Sequence, residues 1–198
     1  MQFITFDPLM EELATYFELG LWHIADIKAF DHMLFLGALW LSIPYGNYSR
    51  AFWAVTAFTV GHSLTLALAI FNVVEVNRAW IEFLIPVTIL LTLIASGFRK
   101  RVPAGWAYGL TVVFGFIHGL GFSGYLDALL GKNASIILPL LGFNLGVEAG
   151  QILILAVFVL CIALMIHVFK LNKQVLRAFA GGAIFVLTVQ LILETKFW

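Results

Sequence analysis

One apolar run decides which class of protein this chain can form. Residues 138–166 read LPLLGFNLGVEAGQILILAVFVLCIALMI, with Glu148 as the one charged residue among them. A helix needs about 20 apolar residues to cross the hydrocarbon core of a bilayer. The whole chain of 198 residues is 62% hydrophobic and 11% charged, which leaves too few polar residues to cover a soluble protein. The sequence therefore predicts an integral membrane protein whose surroundings are a lipid bilayer.

Short segments rich in Pro, Gly, Asn and basic residues divide the apolar sequence into helices. Helices are expected because each backbone polar group in hydrocarbon needs a partner within the protein. Residues 1–20 combine acidic residues with apolar residues at helical spacing, which predicts a short amphipathic helix at the membrane surface and no cleavable signal peptide. We predict an all-α, single-domain bundle of about six transmembrane helices, with spans near residues 21–46, 51–72, 80–98, 104–130, 136–169 and 175–195.

The distribution of basic residues predicts the orientation of these spans. Lys and Arg are more frequent at one set of span ends than at the other, and the positive-inside rule then places both termini outside the cytoplasm. The net charge of zero gives no indication of a nucleic-acid partner, and Cys161 alone forms no internal disulfide. The predicted cytoplasmic residues are Arg50, Arg99, Lys100, Arg101, Lys170, Lys173 and Arg177, and those on the opposite side are Lys28, Arg78, Lys132 and Lys196.

Ionisable side chains lie at similar depth in several predicted spans. His62, His118 and Glu148 fall near the middle of the second, fourth and fifth spans, with His62 about 16 Å from the inner end. Asp31 and His32 reach the same level if the first span begins early; if it begins only at Asp31, with residues 21–28 outside it, they lie at its outer rim. Such groups are costly in hydrocarbon and usually mark a functional site. Histidine and carboxylate ligands without cysteine suit zinc, nickel, iron, cobalt or manganese, although a proton relay could use the same side chains.

The fifth span carries two different faces. Asn144, Glu148 and Gln151 share one face at spacings of four and three residues. A glycine strip recurs every four residues on the opposite face, which allows close approach by another helix and makes a homo-oligomer possible. The strip consists of Gly142, Gly146 and Gly150, and Gly115 and Gly119 similarly flank His118. Polar residues expected to support the ligands are Asp26, Ser63, Glu82, Asn144 and Gln151, although Glu82 could simply pair with Arg78.

Four motifs carry a resemblance to a known family. HIADIKAFDHMLFL, FTVGHSLTLAL, FGFIHGLGFSGYL and FNLGVEAGQ, in this order over about residues 15–165, resemble the successive signatures of HupE/UreJ proteins, especially their second-type branch. The resemblance implies a multi-pass protein of the bacterial inner membrane that moves nickel or cobalt for the maturation of hydrogenase or urease. Pro86 departs from the small residues usual at its position. The site positions that the resemblance implies are His23, Asp31, His32, His62, Glu82, His118, Glu148 and Gln151.

Two main hypotheses about function remain open, and a metal-sensing or assembly partner without turnover of its own is a third. The first is a permease that takes a divalent transition-metal ion, with zinc and nickel as the leading candidates, from the outer face near Asp31 and His32. The second is an intramembrane zinc-dependent hydrolase in which three histidines hold the metal and Glu148 or Asp31 acts as general base. The apolar inner half of the fifth span favours the hydrolase, because a permease needs a polar route on both sides. The family resemblance favours the permease. Lys28 is expected to offset the charge of the acidic residues around it.

Overall fold

The computed structural model describes residues 7–27, 30–74, 76–97, 104–130 and 135–198. Its described residues form helices and no strands, which confirms the predicted all-α class. Several residues of the predicted charge pattern, including Lys28, Arg99, Lys100, Arg101 and Lys132, lie outside the described ranges. The helices are α1 (Pro8–Ala25), α2 (Asp31–Ser42), α3 (Tyr48–Ile70), α4 (Arg78–Gly97), α5 (Ala104–Leu130), α6 (Ile137–His167) and α7 (Lys173–Thr195).

Four of these helices, α3, α4, α6 and α7, are long and apolar enough to cross a membrane. In α5 the apolar segment Tyr108–Gly124 is shorter. Short polar side chains define where several helices begin, because each accepts a hydrogen bond from a backbone N–H that has no partner inside the helix. Asp7 accepts from Leu9 N in α1, and Asn47 accepts from Arg50 N in α3. Asn77 and Asn172 do the same for α4 and α7.

The predicted first span, residues 21–46, is interrupted, and its alternative start at Asp31 agrees with the structure. Residues 21–46 do not form one helix: α1 continues past residue 20 to Ala25, the chain becomes extended at Asp26, and α2 begins only at Asp31. An Asp side chain competes for backbone hydrogen bonds and disfavours helix interiors, so a break flanked by Asp26 and Asp31 follows from the local sequence. The described residues form seven helices, and the prediction of six spans plus one surface helix differs from them here in where the first two helices begin and end.

α1 packs along α6 rather than standing alone as a surface helix. The glycine strip of α6 provides the contact: a methyl group added at Gly146 would collide with the Phe17 carbonyl oxygen. One added at Gly20 of α1 would collide with the Phe143 carbonyl oxygen. Gly142 and Gly150 lie close to the carbonyl oxygens of Leu13 and Leu21. The residue numbers of the contacting pairs therefore rise together along α6 and α1. α1 and α6 therefore run in the same direction.

α2 also runs in this direction. Arg177, near the beginning of α7, donates a hydrogen bond to the carbonyl oxygen of Leu41 near the end of α2. Because α6 ends just before α7 begins, the end of α2 lies at the same end of the bundle as the end of α6. From Gly150, where α1 finishes beside it, α6 continues to His167 for about 25 Å, and α2 covers about 18 Å. α1 and α2 therefore follow each other in one direction along the bundle, and the break between them begins beside Gly150 of α6.

α3 and α5, the helices that carry His62 and His118, pack closely against each other. A methyl group added at Gly115 would collide with the Phe58 carbonyl oxygen, and one added at Gly119 would collide with that of His62. Gly61 of α3 meets α5 at the Val112 carbonyl oxygen in the same way. The predicted close approach beside His118 is therefore present, and it brings the two helix backbones that carry His62 and His118 into direct contact.

Candidate metal centre

Four helices bring five ligand-type side chains together at the break between α1 and α2. His23 comes from the last turn of α1, Asp31 and His32 from the first turn of α2, His62 from α3 and His118 from α5. The ring centroids of His23 and His32 are 4.6 Å apart, those of His32 and His118 are 5.6 Å apart, and those of His23 and His62 are 6.2 Å apart. His32 therefore occupies the middle of the cluster.

The side chains form two overlapping groups of candidate ligands. His23, His32 and His62 make one group, and Asp31, His32 and His118 make the other. In each group the candidate ligand atoms all lie within 4.8 Å of one another. Imidazole nitrogens and carboxylate oxygens bind borderline divalent cations such as nickel, cobalt and zinc. Since His32 belongs to both groups, it is the side chain common to either way of holding an ion.

Buried polar atoms in the cluster have no hydrogen-bond partner. His62 is fully buried and His118 is 2% exposed. An unsatisfied buried donor or acceptor costs about 1–3 kcal/mol, so several in one place indicate a role other than stability. A bound cation would satisfy the nitrogens that carry lone pairs. The unpartnered atoms of the cluster are His23 Nε2, Asp31 Oδ1, His32 Nδ1 and Nε2, His62 Nδ1 and Nε2, and His118 Nδ1.

Asp31 is the one acidic member of the cluster. Its Oδ1 lies 3.2 Å from His32 Nδ1, an ion-pair distance without the alignment of a hydrogen bond. A carboxylate at this distance can orient the imidazole or share an ion with it. Asp31 also lines a cavity of about 370 Å³ together with Glu82, Pro86 and Thr195, and the side chain of Glu82 is 48% exposed. The cavity therefore connects the acidic edge of the cluster with the exposed end of α4.

Aromatic rings enclose the remaining sides of the cluster. The ring of Phe122 is 3.9 Å from that of His23, and Phe143 stacks on Phe122 at 4.9 Å. Phe35 and Phe58 lie 5.3 Å and 5.0 Å from His118, measured between ring centroids. An apolar enclosure of this kind excludes water and strengthens electrostatic interactions with any ion inside it.

Glu148 does not join the two ligand groups. Its Oε1 accepts a hydrogen bond of 2.6 Å from the Thr56 hydroxyl of α3. Gln151 similarly accepts at 2.8 Å from Thr59, so the polar face predicted on the fifth span is used to hold α6 against α3. The structure thus brings five of the six predicted ligands together and places Glu148 in a separate pair with Thr56.

The predicted supporting residues have varied surroundings. Ser63 donates to Thr59 O within α3, and Asn144 donates to Leu140 O within α6 while its buried Oδ1 has no partner. Glu82 pairs with Arg78, which was the alternative role expected for it, with 2.7 Å between Arg78 Nε and Glu82 Oε1. Asp26 is exposed at the end of α1.

Sequence reasoning did not find Thr88 of α4. Its hydroxyl oxygen lies 3.1 Å from Nε2 of His118, and its side chain is buried. A single hydroxyl in the apolar segment IPVTILL gives no signal of its own, because threonines in membrane helices commonly bond to their own backbone. Only the packing of α4 against α5 shows the contact.

The fold and the cluster define a class of protein: a multi-helix membrane protein with a buried group of histidines suited to a divalent metal ion. The family model described as "HupE / UreJ protein" matches residues 2–195. The chain therefore belongs to the HupE/UreJ family, which confirms the resemblance seen in its motifs. Searches among curated proteins and among solved structures find no match to it.

Proposed function

We propose that this protein is a permease for a divalent transition metal of the nickel or cobalt kind, and that the cluster at the α1–α2 break binds the ion as substrate. The observation that carries the proposal is the set of buried, unpartnered nitrogens that His23, His32, His62 and His118 direct into one place. The family is associated with nickel and cobalt transport, and the absence of any thiolate from the cluster agrees with these ions.

The break between α1 and α2 supports transport. Membrane transporters commonly bind ions where a helix is interrupted in the middle of the bilayer, because backbone groups and polar side chains can line a cavity there without facing lipid. Here the break separates His23 from His32, and both side chains belong to one of the ligand groups. A change at the break would therefore alter the ligand set directly.

The two ligand groups support a sequence of binding steps. Asp31 lies beside the cavity that reaches the exposed Glu82, so the group of Asp31, His32 and His118 is the first that a cation from this side would meet. His32 would remain bound while His23 and His62 replace Asp31 and His118. Exchange through a shared ligand avoids releasing a bare cation into an apolar interior.

The proposed orientation follows from the basic residues. Arg50, Lys173 and Arg177 lie toward the end of the bundle where α2 and α6 finish, and Arg78 and Lys196 lie toward the opposite end. With the first end in the cytoplasm of a bacterial inner membrane, both termini lie outside and the cavity at Asp31 opens on the outer side.

A homo-oligomer remains a further proposal; the glycine strip of α6 is engaged by α1 of the same chain.

Uptake into sealed vesicles tests the proposal. Purified protein in proteoliposomes that contain a fluorescent indicator for divalent cations should accelerate the entry of Ni²⁺ over protein-free vesicles. His32→Ala should abolish the acceleration, because His32 belongs to both ligand groups. His167→Ala is the matched control, since His167 is exposed at the end of α6. Binding of Ni²⁺ without transport by the wild-type protein would contradict the permease and favour a metalloenzyme or a metal-binding partner.

A further inference from the structure

A buried hydroxyl contacts the cluster from a helix that supplies no ligand. Thr88 of α4 is 2% exposed, and its Oγ1 lies 3.1 Å from Nε2 of His118, which is also 2% exposed. His118 belongs to the ligand group with Asp31 and His32, and its other ring nitrogen, Nδ1, is buried without a partner. The imidazole therefore uses one nitrogen for Thr88 and leaves the other without a hydrogen-bond partner.

The hydrogen bonds of Thr88 decide which nitrogen of His118 carries the proton. A threonine hydroxyl has one proton to donate and two lone pairs to accept with. Thr88 Oγ1 lies 2.7 Å from the carbonyl oxygen of Ile85, and a carbonyl oxygen can only accept. With its proton directed to Ile85, Thr88 must accept from His118, so Nε2 carries the hydrogen. In a neutral imidazole Nδ1 then has the free lone pair.

We propose that Thr88 is a positioning residue for the metal site: it fixes His118 as the Nε2–H tautomer and so presents the Nδ1 lone pair to the cation. The inference rests on the proposed binding of a metal by the cluster. The physical advantage is that the ligand needs no proton rearrangement or ring reorientation when the ion arrives. Partners that hold the second nitrogen of a histidine ligand typically contribute 10- to 100-fold in metal affinity, and we expect about this effect here.

The alternative arrangement gives opposite predictions. If Thr88 instead donates to Nε2, the proton of His118 is on Nδ1, and that nitrogen cannot bind a cation before it loses the proton. The distances favour the first arrangement, since the contact with Ile85 O is shorter than the contact with His118 by 0.4 Å (3.1 − 2.7 Å). Histidine tautomers are distinguishable by the ¹⁵N chemical shifts of the two ring nitrogens.

Three variants separate positioning from mere packing. Thr88→Val keeps the shape of the side chain and removes the hydroxyl, and Thr88→Ser restores the hydroxyl with a methyl group missing. Thr92→Val is the matched control: Thr92 lies one turn further along α4, is 6% exposed, and donates to Thr88 O at 2.8 Å. The probe is Co²⁺ alone, titrated into the purified full-length protein and followed by its d–d absorption and by calorimetry.

Thr88→Val should weaken Co²⁺ binding by about 10- to 100-fold, and Thr88→Ser and Thr92→Val should stay within a few-fold of the wild type. In the metal-free wild type, His118 should show a protonated Nε2 and an unprotonated Nδ1, and Thr88→Val should give a mixture of tautomers. Unchanged affinity in Thr88→Val, or a protonated Nδ1 in the wild type, would overturn the inference and leave the proposed permease intact. Absence of Co²⁺ binding by the wild type would overturn both.

Discussion

At the scale of single residues, the site depends on side chains that are expensive to bury and that keep ring nitrogens without a hydrogen-bond partner. His62 and His118 are enclosed by apolar rings and by helix backbones that approach through glycine. A structural hydrogen bond inside a membrane contributes about 1 kcal/mol. A serine or threonine at either position could make such a bond more easily than a histidine. Imidazole at these positions is therefore better explained by ligation than by stability.

Removal of a single ligand should empty the site and leave the fold intact. We expect His62→Ala and His118→Ala each to weaken Ni²⁺ binding by more than the 10- to 100-fold typical of a partner that only orients a ligand. The measurement is calorimetric titration of purified protein, with thermal unfolding of the metal-free protein as the check on folding. Full metal binding in both variants would exclude these histidines as ligands.

Glu148 offers a contrasting substitution. Glu148→Gln retains an oxygen that can accept from Thr56 and loses only the charge, so metal binding should be close to that of the wild type. The same calorimetric titration compares Glu148→Gln with His62→Ala directly. A loss as large as that of His62→Ala would show that Glu148 moves into the cluster when the ion binds, as the sequence hypothesis supposed.

Metal binding should also depend on pH in a defined direction. Only the neutral form of a histidine side chain can ligate a metal. Protons therefore compete with the ion, and bound Ni²⁺ should decrease as the pH is lowered and return when the pH is raised. Ni²⁺ occupancy after equilibrium dialysis at each pH provides the measurement; an occupancy that rises as the pH falls would contradict ligation by histidine.

At the scale of helices, α1 is the element that sequence reasoning described least well. Glu11, Glu12 and Glu18 make α1 too polar to qualify as a membrane span, and they led to the prediction of a surface helix. The side chains of Glu11 and Glu18 are exposed, whereas Gly20 meets the backbone of α6. Helical spacing alone identifies faces of one helix, and it does not reveal which other helix will cover them.

The same limitation explains which site residues were predictable. The depth of His62 and His118 follows from counting residues along a span, and the structure places each of them in a ligand group with His32. The position of Glu148 also depends on how far α6 is rotated and shifted relative to α3, and this register is set by Thr56 and Thr59 on the partner helix. No property of the fifth span by itself contains that information.

The glycine contact between α1 and α6 should be intolerant of even a methyl group. Gly146→Ala places a Cβ against the Phe17 carbonyl oxygen, so the two helices must separate, at a cost of about 1–3 kcal/mol typical of overpacking. We expect a lower midpoint of thermal unfolding and weaker Ni²⁺ binding, because α1 carries His23. Gly182→Ala on α7 is the control, since nothing lies within 4 Å of its added Cβ. Equal behaviour of the two variants would refute the close packing.

At the scale of the whole molecule, the proposed orientation gives each end of the bundle a different accessibility. In a Cys161→Ser background, Thr195→Cys places a thiol at the cavity beside Asp31, and Gln174→Cys places one at the opposite end, in the first turn of α7. An impermeant maleimide applied to intact cells should label Thr195→Cys, and it should label Gln174→Cys only after the membrane is permeabilised. The reverse pattern would invert the orientation and move the cavity to the cytoplasmic side.

The break after Ala25 separates two helices that have different packing partners. α1 is packed mainly against α6, whereas α2 is packed mainly against α4 and α7. An ion bound by both His23 and His32 would therefore act as a reversible cross-link between α1 and α2. By thermodynamic reciprocity, whatever separates α1 from α2 must loosen the ion, and the ion must resist that separation to the same extent.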